Sequence, residues 1–246
     1  MTNEKFFDAL SENYDGMISF TDAVEKNKSV LKEFINDKIT CAADLGCGTG
    51  VDSIALSKLG LKVTSFDISK GMINKAKQNA EHENAKINLI NKSITEITEE
   101  HFNKYDLIVS LGNSLANLNS GQLEISIQIM KNMLRENGKV LLQILNYIPI
   151  LKDKKRIINI TGDKIFQFVR FYDIMGDWLQ FNVLRYSHDN PKEHNLISTK
   201  IYPHIFSDFG RLLKTAGFKN IIFFSGLNKS SFEKDVSKDL VILAEV

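Results

Sequence analysis

Ala42-Ala43-Asp44-Leu45-Gly46-Cys47-Gly48-Thr49-Gly50 is a short apolar run that ends in an acid and passes into three alternate glycines. It reads as a strand feeding a tight loop that opens a helix. Glycine has no Cβ, so the chain can turn sharply there and approach a ligand closely. A G-x-G-x-x-G spacing would point to a dinucleotide with its pyrophosphate on a helix N-terminus. Here the spacing is G-x-G-x-G, and Asp44 precedes the first glycine. A carboxylate repels a pyrophosphate and suits an ammonium group. The expected ligand is therefore nucleotide-like, with a cationic amino-acid end.

Outward from this loop, β-rich apolar runs alternate with helical patterns. Strands are expected at Thr40 to Leu45, Lys62 to Phe66, Ile87 to Ile90 and Tyr105 to Ser110, with helices at Val51 to Leu59 and Ser69 to His82. Such alternation predicts parallel strands buried on both faces. Leu123, Ile127, Met130 and Leu134 recur at helical spacing and predict a helix from Gly121 to Arg135. Asn137-Gly138 is expected to end it, and Lys139 to Leu145 to form the fifth strand. Between Tyr147 and Tyr202 the pattern changes to antiparallel strands at Lys164 to Tyr172, Trp178 to Tyr186 and Asn195 to Ile201, read as an insertion carrying substrate contacts. A helix from Phe206 to Ala216, stopped by Gly217, leads into two last strands, Asn220 to Phe224 and Leu240 to Glu245, read as a hairpin.

The 246 residues, 43% of them hydrophobic, suffice for a large core. Lys+Arg 31 against Asp+Glu 30 leaves a net charge of +1, which supplies no global field for nucleic acid or an anionic membrane. No apolar run reaches the length of about 18 residues that a bilayer crossing needs, and the first twenty residues do not read as a signal peptide. A cytoplasmic location is expected. Cys41 and Cys47 have neither C-x-x-C spacing nor a neighbouring His, so neither a metal site nor a disulfide framework is expected.

The run Asp44-Leu45-Gly46-Cys47-Gly48-Thr49-Gly50 resembles the first motif of class I S-adenosylmethionine-dependent methyltransferases. That resemblance implies an α/β fold: a Rossmann-like, seven-stranded, mostly parallel sheet with helices on both faces, a C-terminal antiparallel hairpin and a small antiparallel β insertion after the fifth strand. It also implies one domain, with residues 1–37 as an N-terminal helical lid, 38–146 as the cofactor core, 147–204 as the insertion and 205–246 completing the sheet. Asp67, at the offset where an acid reaches ribose hydroxyls, is expected to bind the ribose of S-adenosyl-L-methionine, with Ile68 and Met72 flanking the adenine. The competing reading makes Asp67 a helix cap and the apolar pair ordinary core. After the third strand, Ser93 stands where these enzymes often carry an acid, and Ile94 would meet the adenine edge through its N–H. Glu12-Asn13-Tyr14-Asp15-Gly16-Met17 resembles a segment that folds over the cofactor; Tyr14 either faces the pocket or simply packs.

Leu111-Gly112-Asn113-Ser114-Leu115-Ala116-Asn117-Leu118 and Tyr202-Pro203-His204 are similar to segments of the glycine N-methyltransferase group. The resemblance implies that Leu111 contacts the amino-acid end of the cofactor and that Asn113, Tyr147, Tyr202 and His204 serve the acceptor, His204 as a base or hydrogen-bond partner or else as a structural residue. That group carries an arginine before its Asn-Tyr pair to hold the substrate carboxylate. Here Leu145 precedes Asn146-Tyr147, so the bidentate contact is lost. Arg170 or Arg185 could substitute, or both could be solvated strand residues. The implied reaction is in-line methyl transfer to a small-molecule acceptor, an amine nitrogen in the favoured case. The alternatives are an RNA or protein acceptor docked on Lys152 to Arg156, and a cofactor-binding regulator without catalysis.

Overall fold

A computed structural model describes residues 1–14, 19–162, 165–190 and 192–246, with side chains for all of these but residues 12 and 13. Two helices, α1 (Asn3–Tyr14) and α2 (Phe20–Leu31), precede the first strand, β1 (Cys41–Leu45). Then come α3 (Val51–Lys58), β2 (Lys62–Asp67), α4 (Lys70–His82), β3 (Ile87–Asn91), β4 (Tyr105–Ser110), α5 (Ser120–Met133) and β5 (Leu134–Leu145). The insertion holds α6 (Tyr147–Lys152), β6 (Ile157–Gly162), β7 (Phe166–Ile174), β8 (Leu179–Ser187) and β9 (His194–Ile201), and the chain closes with α7 (Phe206–Thr215), β10 (Lys219–Phe224) and β11 (Asp239–Glu245).

The larger sheet has seven strands in the order β10-β11-β5-β4-β1-β2-β3. β1 pairs in parallel with both β2 and β4, and β11 lies antiparallel between β5 and β10. The chain reverses its winding at β1 and β4, so the loops after these two strands flank the crevice where open α/β sheets bind ligands. Period-2 alternation sends Ala43 and Leu45 into one core and Ala42 into the other. On the first face Leu123, Ile127 and Met130 of α5 meet Phe209, Leu212 and Leu213 of α7. On the second, Val24 and Leu31 of α2 pack with Ile54, Ala55 and Leu56 of α3.

Several boundaries move. α5 starts at Ser120 because Asn119 caps it, with Asn119 Oδ1 accepting from Gln122 N at 3.0 Å and Gln122 Oε1 accepting from Asn119 N at 3.0 Å. It ends before Leu134, whose ψ of 143° leaves the helix and which pairs with Tyr105 as the first residue of β5. The insertion has four antiparallel strands rather than three. β6 escapes sequence reading because it is an edge strand whose Ile157 and Ile160 are 54% and 57% exposed, with no clean alternation of burial. α6 was likewise not anticipated. Lys164, expected in a strand, lies outside the described residues, as does Pro191.

The smaller sheet docks through α1. Phe6 and Leu10 of α1 are buried against Met72 of α4 on one side and Phe168 and Val183 of the small sheet on the other. The N-terminal helix thereby closes the crevice from above. Among the described residues, no helix is long and apolar enough to cross a membrane.

Candidate active site

The loop after β1 is tied to the tip of β2 by its own backbone: Gly46 N and Cys47 N both donate to Phe66 O, at 2.8 and 3.0 Å. Gly46 and Gly48 have φ of +78° and +53°, where glycine is favoured. A Cβ on Gly46 would come within 2.8 Å of Ser114, whose Oγ donates to Gly46 O at 3.1 Å and to Leu111 O at 3.0 Å. The loop after β4 thus closes directly on the glycine loop. A Cβ on Gly48 would meet no protein atom within 4 Å, so that backbone borders open space.

Asp67 ends β2. Its Oδ2 accepts from Gly48 N at 2.8 Å and its Oδ1 from Ser69 N at 2.9 Å. Burial raises its carboxyl above the usual range, opposed by the two N–H bonds. Ser69, not Asp67, caps α4, its Oγ accepting from Met72 N at 3.1 Å. The same hydroxyl donates to Asp8 Oδ1 at 2.6 Å, which also accepts from Gly71 N at 2.9 Å. Asp8 fastens α1 to the N-terminus of α4, a link 61 residues apart that no local pattern announces.

These elements enclose a cavity of about 620 Å³, whose wall includes Tyr14, Gly46, Cys47, Gly48, Asp67, Ile68, Met72, Ser93, Ile94 and Leu111. Ile68 is 40% exposed there, an apolar surface with room for a flat apolar partner. Ser93 precedes the 3₁₀ turn Ile94–Glu96, and its hydroxyl lies 3.0 Å from Thr95 Oγ1. Of the expected lid, Tyr14 is on the wall, while Asp15, Gly16 and Met17 lie outside the described residues.

Two residues expected at the cofactor sit elsewhere. Gly50 caps α3, off the wall. Asp44 is 1% exposed behind the loop, its Oδ2 accepting from Ser53 Oγ at 2.6 Å, with Ser65 Oγ donating to Ser53 Oγ at 2.8 Å. Burial, and then the nearby Asp52, push its carboxyl well above the usual range. The sequence reading gave Asp44 the ammonium, but its side chain points into the β1–α3–β2 packing instead.

The four expected acceptor residues also stand behind the wall. Asn113, half-buried, accepts at Oδ1 from Leu145 N at 3.0 Å and donates from Nδ2 to the buried Tyr147 Oη at 2.8 Å, a brace between the ends of β4 and β5. Burial pushes the Tyr147 phenol well up and that of Tyr172, whose ring lies 6.4 Å from it, up to about 12. Tyr202 N donates to Ala116 O at 2.7 Å. His204 Nε2 lies 2.7 Å from Leu118 O, so the tautomer with a proton on Nε2 fits, and burial lowers its pKa. His204 is thus held as a neutral donor to the backbone. Arg170 and Arg185 are off the wall too, Arg170 donating to Thr161 Oγ1 at 3.3 Å and Arg185 lying 4.4 Å over the Phe166 ring.

In their place, the side of the cavity facing α1 is lined by Asn3, Phe7, Asn117, Leu118 and Gln122. Asn3 Nδ2 donates to Asn117 O at 2.8 Å, and Asn117 Nδ2 to Ser114 O at 3.0 Å. Among the described residues, two on the wall carry buried polar atoms without a protein partner, Thr49 Oγ1 and Asn117 Oδ1. Such atoms are destabilising unless a ligand or water completes them. A wall with a carboxylate hydrogen-bonded to a glycine cradle, an apolar slot and orphaned polar atoms fits an adenosyl amino acid.

Residues 42–138 match the family model described as a methyltransferase domain. The chain is 31% identical over 137 residues to the ribosomal protein L11 methyltransferase of Campylobacter fetus subsp. fetus (strain 82-40), covering 55% of this chain and 45% of that one. It is 23% identical over 196 residues to the glycine/sarcosine N-methyltransferase of Aphanothece halophytica, covering 78% and 71%. The chain spans about half the length of curated relatives such as the first. Among solved structures, the CcbJ methyltransferase of Streptomyces caelestis superposes with a TM-score of 0.81 at 15% identity, covering 97% of this chain and 96% of that one. Residues 42–138 thus resemble a methyltransferase domain, and the chain shares its fold with solved methyltransferases.

Proposed function

We propose that the protein transfers a methyl group from S-adenosylmethionine to a small-molecule acceptor, and that the methylated atom is an amine nitrogen. The observation that carries this reading is the cavity wall, where Asp67, the Gly48 backbone, Ile68 and Met72 stand together at the tips of β1 and β2. The cofactor supplies an electrophilic methyl on a sulfonium. The protein's task is to hold the acceptor lone pair in line with it, a contribution of roughly 7 to 11 kcal/mol when the geometry is good.

Asn117 Oδ1 is suited to accept from the acceptor's N–H and so to aim its lone pair, while Phe7 and Leu118 displace water. An ammonium must lose its proton before it can react, and desolvation favours the neutral amine. Among the described residues the wall carries Glu4, Asp52 and Asp67 against the single cation Lys92, itself paired to Glu100 at 3.0 Å. That balance supports an acceptor without a carboxylate, in keeping with Leu145 in place of arginine. Likeness to ribosomal protein L11 methyltransferases favours a protein acceptor as the second reading.

Titration calorimetry with S-adenosylmethionine, followed by label transfer from methyl-labelled cofactor to a panel of small amines, amino acids and bulk protein, tests both readings. Binding with transfer to an amine supports the first. Transfer confined to protein replaces it with the second, and absence of binding removes both.

A further inference from the structure

The wall offers a carboxylate where the sequence did not look for one. Resting on the methyltransferase reading above, we propose that Asp52 holds the α-ammonium of the cofactor's methionine part, the role that charge alone assigned to Asp44. The two acids are eight positions apart and differ in what they face. Asp44 is spent on the Ser53 hydroxyl behind the loop, whereas Asp52, in the first turn of α3, is on the cavity wall beside Thr49 and Val51.

Asp52 is also oriented. Asn27 Nδ2 of α2 donates to its Oδ1 at 2.7 Å, and Asn27 lines the same stretch of wall. Among the described residues no lysine or arginine pairs with it, and the one wall cation, Lys92, follows β3 at the adenine end and is committed to Glu100. Burial, opposed by the Asn27 bond, lifts the Asp52 carboxyl to about 6. A carboxylate in that state lacks a cation, and a ligand ammonium supplies one. The other charge of the same ligand is provided for as well. A carboxylate joined to the carbon bearing that ammonium lies within reach of Thr49, whose hydroxyl is buried without a partner. An acid and an orphaned hydroxyl side by side complement a zwitterion, and neither complements a bare nucleoside.

The test compares two ligands on one variant. S-adenosylhomocysteine carries the amino-acid end; 5′-methylthioadenosine shares the adenosine and lacks that end. In calorimetry, Asp52→Asn is expected to weaken S-adenosylhomocysteine about 10- to 100-fold, the loss of one charge-assisted contact, and to leave 5′-methylthioadenosine within about threefold of wild type. Unchanged methylthioadenosine binding also shows that the variant is folded. Equal affinity of variant and wild type for S-adenosylhomocysteine overturns the proposal and leaves the methyltransferase reading intact. An equal loss for both ligands overturns it too, because Asp52 would then act on the shape of the loop. A wild type that binds neither ligand overturns the methyltransferase reading and this proposal with it.

Discussion

The two sides of the cavity are built from different materials. The side on the seven-stranded sheet is largely main chain: Gly46, Gly48 and the tips of β1 and β2, cross-tied by hydrogen bonds to Phe66 O and to the Asp67 carboxylate. The side facing α1 is made of side chains, Asn3 and Phe7 from α1 itself and, more than a hundred residues on, Asn117 from the loop after β4 and Gln122 from the first turn of α5. A main-chain wall tolerates few residue types, because φ and Cβ contacts constrain it. A side-chain wall can be rewritten without disturbing the fold. The first suits a cofactor shared by many reactions, the second an acceptor particular to one.

Substitutions can break this contrast. The largest effect is expected at Asp67, because both ribose hydroxyls are assigned to it: Asp67→Ala should weaken S-adenosylhomocysteine roughly 100- to 1000-fold in calorimetry. A loss below threefold would move the ribose elsewhere. Gly46→Ala and Gly48→Ala then separate folding from binding. The first puts a Cβ 2.8 Å from Ser114 and should lower unfolding stability by about 2 to 3 kcal/mol. The second meets no protein atom and should cost only about 1 kcal/mol of stability, yet weaken the cofactor product about tenfold or more, since the methyl enters the cavity. If both variants lose stability equally and binding equally, Gly48 does not border the ligand.

On the other wall, Asn117→Ala should raise the acceptor KM about tenfold and leave cofactor affinity within twofold, a split that steady-state kinetics with calorimetry would resolve. Tyr147→Phe should do neither. It leaves Asn113 Nδ2 without its partner and should lower stability by about 1 kcal/mol in denaturant melts, with cofactor affinity unchanged. A change in acceptor KM for Tyr147→Phe would restore it to the substrate site.

The same contrast explains what could be read in advance. The parallel sheet was legible because β1 and β4 are buried but for Cys41 and Asp106, and the glycine loop because close main-chain approach leaves a composition that few other features share. Asp67 was placed by its distance from that loop along the chain. Asp44 misled because charge says what a residue could bind and not which way it points: Ser53, one helical turn into α3, draws it inward while Asp52 faces out. Asn113, Tyr147 and His204 came from resemblance to an acceptor site, and their polar atoms are instead satisfied by neighbouring elements. Asn117 lies within the Leu111–Leu118 resemblance, which gave it no role of its own, and Asn3 carried no pattern, since what joins the two is the fold itself. β6 was hidden for the opposite reason, its isoleucines being exposed at an edge.

The smallest expected effect separates the two walls by sign. His204 is held neutral against Leu118 O, with its pKa lowered by burial, so between its folded value and the ordinary 6.5 the unfolded chain binds more protons than the folded one. Its contribution is complete above about 6.5 and is lost as pH falls. Asp67 behaves oppositely: its carboxyl is raised, so between 3.8 and its folded value the folded chain holds more protons, and stability falls as pH rises through that window. Acid therefore loosens the loop that carries Asn117 while relieving the buried carboxylate of the main-chain wall. His204→Gln, which can still donate to Leu118 O, should flatten the fall in Tm between pH 7 and pH 5 without altering it at pH 8. If wild type and variant lose Tm in parallel on acidification, His204 does not titrate with unfolding, and the pH response belongs to the carboxylates alone.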